Sequence, residues 1–460
     1  MSLKATDGFL LRNGNNMHEK ISPESKEYGE FKESLKIDTE TFRGDESWGS
    51  DVLMMLRMNE VKAERLREQV KGDDPESPEA KHIEELERRN QEELRRSFEN
   101  YIALDKDPKT KGSTIFLMAE AMQDPSIREE LSALIPKGRL PLSNRIVEAI
   151  VQKTERGEEF SMELWERMLE QNQKTFLEKL RVFQEKVLPE LKQKFLEAVH
   201  SATEKGTVPI PEEKIRQMLD TTAFILRDPT AARLENNMGR YDPENNTILV
   251  ASYLVDSYLH APEWEKSVKQ DKDMAEFYGD GGGKDRAEKY RKMAEHGRAN
   301  LLHTFYHEAL HMLSGKTVVT EYEEGAEHLA DFEHKKIGLR HVGKKVARFR
   351  WLNEAMTEHV TTELTGDHDK KYAGYKKELE LFELLRTKGK KEIPLELFKN
   401  AYFENFDPDQ NEQERLRHWK LLRLELAEAY EHDFIVKLDK TIQEKGIDHA
   451  IKSLKEGLAV

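Results

Sequence analysis

The chain has no cysteine in 460 residues. That absence excludes disulfides, thiolate nucleophiles and cysteine-based structural zinc sites together. No apolar run approaches the roughly 20 residues that span a bilayer, so no membrane partner is expected. The opening residues, MSLKATDGFLLRNGNN, contain neither an apolar signal core nor a cleavage pattern. A cytoplasmic protein is expected, with export independent of a signal peptide left open. Positive charge is also in deficit. A formal net charge of −15 repels phosphate, and no nucleic-acid partner is expected. The densest basic run, Lys344, Lys345, Arg348 and Arg350, reads as a solvated helix face.

What is abundant is charge balanced by helix-forming apolar residues: 35% charged against 37% apolar. Such a mixture suits a helix-rich protein with broad solvated faces, and 460 residues exceed one ordinary core. Residues 1–50 are polar and glycine-dotted, and read as a poorly ordered or extended lead-in. Residues 51–205 read as a helical domain. Within it Ser77-Pro78 opens one helix, and Ser161 to Glu204 carries a stripe that includes Leu164, Met168, Phe176, Leu180, Phe183, Leu191, Phe195 and Val199. Pro189 is expected to kink or split that segment. A stripe of this kind is core or helix-pairing surface.

The texture changes after Gly206. A helix is expected near 211–226. Turn signals at Gly239, Asp242-Pro243 and Asn245-Asn246 then lead into the best strand candidate, Thr247, Ile248, Leu249 and Val250. The GDGGGKD stretch lacks the spacing of a phosphate loop and reads as a surface loop. Helices are expected from about Arg286 to Ser314 and at about 322–337, 345–365, 371–387, 394–405 and 411–456. The expected fold is mainly α with a small β-sheet (α+β), divided near residue 205, with the chemistry in 206–460.

One motif carries that chemistry. In LLHTFYHEALH, His307, Glu308 and His311 form HExxH. Four helical residues rotate about 400°, which puts both imidazoles on one face, one turn apart. Glu308 lies about 100° from His307, toward an open coordination position. A zinc ion held there lowers the pKa of its water to near 7, and Glu308 is placed to accept the proton. A helix with solvated His and Glu side chains is the bland alternative. A catalytic zinc site needs a third protein ligand. Ser314 and Thr317 stand where a metzincin continuation requires glycine and histidine.

Further on, Trp351-Leu-Asn-Glu-Ala-Met-Thr-Glu358 resembles the second signature of thermolysin-type gluzincin peptidases, and its WLNE is similar to the stretch found in zinc aminopeptidases. The resemblance implies a zincin-like metallopeptidase domain binding one zinc per chain. It makes Glu354 the third ligand and Glu358 the acceptor that fixes a ligand imidazole. The 42 residues between His311 and Glu354 exceed the usual gluzincin spacing and come closer to anthrax lethal factor-like toxins. Glu324, Glu327 and His328 are alternative ligands by composition, and His303 reads as a core or rim histidine.

Gluzincins also use a Tyr or His to stabilise the oxyanion. Tyr375 and Tyr372 are the candidates here, with His359 and His368 as substitutes. The Thr247–Val250 strand stands where such peptidases place an edge strand that pairs with substrate. The expected partner is a peptide or protein substrate. A toxin-like protease selective for one partner protein and a helical interaction protein with a decayed HExxH are the competing readings.

Overall fold

The computed structural model describes residues 48–69, 77–106, 117–118, 121–133, 160–204, 208–227, 238–278, 281–321, 332–343, 347–366, 375–404 and 416–457, with short pieces at 12–13, 16–17, 149–150, 152 and 156. The fold is mainly helical with small sheets. No described helix is long and apolar enough to cross a membrane. Two compact units divide the chain. The first comprises Met1–Gln184, Ile225–Met238 and Ala251–Tyr253.

In the first unit, strands β1 (Arg12–Asn13) and β2 (Asn16–Met17) pair antiparallel. Apart from them and the first turn of the next helix, the expected lead-in lies outside the described residues. The helices are α1 (Trp48–Gln69), α2 (Pro78–Lys106), α3 (Pro125–Ala133) and α4 (Met162–Val182). Serine caps start two of them: Ser77 Oγ accepts from the Ala80 amide at 3.1 Å, and Ser161 Oγ from the Leu164 amide at 3.2 Å. Trp165 is the centre of the core, with Phe98 and Tyr101 set edge-on at 5.3 and 5.4 Å. Its indole N–H donates to Ser97 Oγ at 2.7 Å, so the large ring is buried without an orphaned donor.

The second unit comprises Glu185–Phe224, Gly239–Val250 and Leu254–Val460. The division falls inside a π turn, Phe183–Val187, rather than near residue 205. Helix α5 (Leu188–Glu204) belongs to the second unit because its apolar stripe pairs there: Phe195 lies 6.1 Å from Phe305 and 5.0 Å from Tyr306, ring to ring. Pro189 sits in the first turn of α5, where its missing amide costs little, and the π turn absorbs the irregularity. After α6 (Glu212–Thr221) come β3 (Ala223–Arg227), β4 (Gly239–Asp242) and β5 (Thr247–Ala251) in the order β3-β5-β4. The expected strand is present, but it is central. Both of its sides are paired, and Ile248 and Val250 are fully buried. The edge placement is therefore corrected: β3 and β4 are the edges of this sheet, and β5 lies between them.

Helices α7 (Ser252–Tyr278) and α8 (Gly281–Leu313) follow. Gly281 to Lys284 lie in α8, not in a surface loop, because glycine costs a helix only about 1 kcal/mol per residue. A four-stranded antiparallel meander is formed by β6 (Lys316–Glu321), β7 (Phe332–Ile337), β8 (Arg340–Gly343) and β9 (Ala347–Arg348); of the helix expected at 322–337, residues 332–337 are strand and the rest lie outside the described residues. Gly338 at φ +55° makes the β7–β8 turn that a helical reading of this polar stretch overlooks. Arg348 thus lies on a strand rather than on a helix face; Lys344 and Lys345 fall outside the described residues, as do Glu324, Glu327 and His328.

The remaining helices are α9 (Arg350–Thr365), α10 (Lys376–Thr387), α11 (Leu395–Phe403), α12 (Arg417–Ala429), α13 (Phe434–Lys445) and α14 (Ile447–Glu456). The single long helix expected over 411–456 is three, broken at Asp433 (φ +63°) and Gly446 (φ +86°). Between them, the buried Lys336 on β7 reaches Glu404 at 2.9 Å and the Ala401 carbonyl at 2.9 Å. The same carboxylate accepts from the His418 and Trp419 amides, and so caps the start of α12.

Candidate metal centre

The last three turns of α8 hold the HExxH motif. Leu301, Phe305, Ala309, Leu310 and Leu313 are fully buried and fix the helix in the second unit's core. The helix stops where the sequence suggests, with Ser314 Oγ donating to the His311 carbonyl at 2.7 Å and Gly315 at φ +69°. Helix α9 packs against α8. It is anchored at its start by the Phe349 amide, which donates to Asp439 Oδ1 at 2.9 Å. Asn353 Oδ1 accepts from the Leu339 amide at 2.9 Å, and this ties α9 to the β7–β8 turn.

The two helices bring three donor atoms to one point. His307 Nε2 and His311 Nε2 are 3.2 Å apart, and each is 3.3 Å from Glu354 Oε2. Tetrahedral coordination with bonds of about 2.0–2.1 Å has edges of about 3.3–3.4 Å. The three separations fit one face of such a tetrahedron, so His307, His311 and Glu354 form a group able to hold a metal ion. His307 Nδ1 lies 3.1 Å from Glu358 Oε2, which as acceptor leaves Nε2 free to ligate. His303 Nε2 meets the same carboxylate at 3.0 Å, and His303, His307 and Glu358 form a second, overlapping group.

His311 is held by residues that the sequence did not single out. A metal on Nε2 places the ring proton on Nδ1, where Thr357 Oγ1 stands at 3.3 Å as the acceptor. The Thr357 hydroxyl hydrogen is directed to the Asn353 carbonyl at 2.8 Å, and the buried Tyr402 hydroxyl closes on Thr357 Oγ1 at 2.7 Å. Asn353 Nδ2 lies 3.2 Å from the same imidazole nitrogen. Tyr402 comes from α11, far along the chain, and no spacing rule links it to the motif. Thr357 was legible in principle: it lies one turn after Asn353 and on the same face.

Glu308 is buried and accepts from the Tyr241 amide of β4 at 2.6 Å. Gly239 makes that approach possible, because a Cβ there would sit 2.5 Å from Thr304 Cγ2 and 2.9 Å from Glu308 Cγ. Burial raises the Glu308 pKa, against the pull of His307 and His311. Burial works against a charged His307 as well, yet the hydrogen bonds it donates to Glu354 and Glu358 push it up to about 10. Burial also opposes ionisation of Glu358, but His303 and His307 hold it down to about 2; Glu354 is held well below its ordinary range by His311 and His307 despite its burial. The centre therefore concentrates negative charge that a cation or a proton must balance.

Tyr375 ends beside this centre, its ring stacked on His307 at 5.3 Å and 11°. Burial first, and then the charges of Glu354 and Glu308, keep its hydroxyl protonated. Tyr372 and His368 lie outside the described residues. His359 pairs with Glu363 at 3.3 Å instead of joining the site. Thr247, Ile248, Leu249 and Val250 lie on β5, paired with β4, the strand whose Tyr241 amide meets Glu308. No family model, no curated protein and no solved structure matches this chain.

Proposed function

We propose that the chain is a zinc-dependent peptidase of gluzincin type, hydrolysing peptide bonds of a peptide or protein substrate within a zincin-like domain. The observation that carries this reading is the triangle of His307, His311 and Glu354 donors, 3.2–3.3 Å on each side, with a buried carboxylate beside it. Zinc suits two imidazoles and one carboxylate, and when bound it acidifies a water and polarises a carbonyl. Glu308 takes the water's proton and passes it to the leaving amine; its burial raises its proton affinity toward the range a general base needs. The Tyr241 amide fixes that carboxylate's direction. Tyr375 keeps its proton and donates it as a hydrogen bond to the oxygen on which charge develops. Glu358 and Thr357 orient the two imidazoles.

Elemental analysis of the purified full chain tests the reading. One zinc per chain is expected, with none retained in His307→Ala. A protein that takes up no stoichiometric metal when supplied with zinc is not this enzyme.

A further inference from the structure

Three arginines from three different elements lie within electrostatic reach of one another, and Arg340 also within reach of Glu354. Gly338 passes so close to α9 that a Cβ would meet Asn353 Oδ1 at 2.4 Å, and the Leu339 amide bonds that same oxygen. Arg340 is the next residue along, so the turn sets it beside the helix that carries Glu354. Arg350 opens α9 one turn before Glu354, on the same face. Arg240 precedes Tyr241, whose amide holds Glu308. Arg240 and Arg350 are exposed, whereas Arg340 is half-buried, and its Nε is a buried donor with no hydrogen-bond partner among the described residues.

Buried donors without acceptors are rare in folded proteins and point to a missing partner. Burial, and then the like charges of Arg350 and Arg240, lower the Arg340 pKa, while among the described residues Glu354 acts in its favour. A divalent cation held by Glu354 would compete with Arg340 for that carboxylate's charge.

We infer that Arg340, flanked by Arg240 and Arg350, binds a carboxylate of the substrate next to the scissile bond, so that the preferred peptides are acidic at that position or end there in a free C-terminus. The inference rests on the peptidase reading for its substrate class. A guanidinium gives a carboxylate two parallel charge-assisted hydrogen bonds, which an amide of the same shape cannot match.

The test uses zinc-loaded full-length Glu308→Gln, which removes the proposed base and so keeps peptides intact. Fluorescein-labelled hexapeptides carry Asp at each position in turn, with Asn counterparts, and each is made with a free and an amidated C-terminus. One Asp position, or the free terminus, is expected to bind at least about tenfold tighter than its neutral partner. Loss of that preference on amidation alone assigns the terminal carboxylate; its survival assigns the side chain. Arg340→Ala is expected to bring the pair within about threefold, and Arg350→Ala to narrow the gap less. Equal binding of every acidic and neutral pair by the parent overturns the inference, as does an undiminished preference in both arginine variants. Whether wild-type protein cleaves these peptides is scored separately. Cleavage without acidic preference sinks the arginine assignment alone, whereas acidic preference without any cleavage sinks the peptidase reading.

Discussion

The two units differ in how much charge they bury. In the first, the described core is built on Trp165, Phe98, Tyr101 and their aliphatic neighbours, and its central polar contact is a neutral one, indole to serine. In the second, charge is buried repeatedly: His307, Glu308, Glu358, Lys336, Lys399, Glu404 and Asp439 are all nearly inaccessible. Desolvating a charge costs several kcal/mol unless it is paired, so such groups persist where architecture or chemistry requires them. The second unit has both kinds. Lys336 and Glu404 tie a strand to a helix start, while the cluster on α8 and α9 gathers carboxylates hydrogen-bonded to histidines.

The largest expected effect separates chemistry from architecture. Glu308→Gln removes the proposed base but none of the three proposed ligands, so zinc content should stay at one per chain while kcat falls by roughly 10²–10⁴-fold. Hydrolysis retained within tenfold would assign the base elsewhere. Next, Lys336→Met leaves Glu404 buried and uncompensated and should cost about 3–5 kcal/mol in chemical denaturation. Adding Glu404→Gln, which keeps an acceptor for the His418 and Trp419 amides, should restore most of that loss. If the double variant is no better than the single one, the pair is not the unit of stability. In the first unit, Trp165→Ala should cost about 3–5 kcal/mol by opening a cavity, with zinc content unchanged. A parallel loss of zinc would show that the two units do not fold independently.

The same contrast explains what the sequence could reveal. Helix periodicity is local, so α2, α4, α5 and the motif-bearing α8 were legible, and so were three donors spaced by helical turns on two helices. The β6–β9 meander was not, because antiparallel pairing depends on partners remote in sequence, and EHKKIGLRH offers little alternation to announce it. The residues of β5 announce a strand but not its place in the sheet, since strand order is a property of the sheet. Its buried, nearly continuous apolar run, TILVA, was the available clue to a central position. Tyr402 was invisible for a third reason: a hydroxyl that acts through Thr357 leaves no motif at all.

The smallest effect tests the deepest layer of the site. Thr357 is not one of the three proposed ligands; in the proposed centre it accepts from His311 Nδ1 and so keeps Nε2 available for the metal. Thr357→Val preserves volume and removes only the hydroxyl. Zinc affinity, measured by competition with a chromophoric chelator, should fall by about 10–100-fold, as is usual when the partner of a ligand histidine is lost. Tyr402→Phe should do less, because its hydroxyl reaches the imidazole only through Thr357. If Tyr402→Phe weakens zinc more than Thr357→Val does, the order of this chain is reversed.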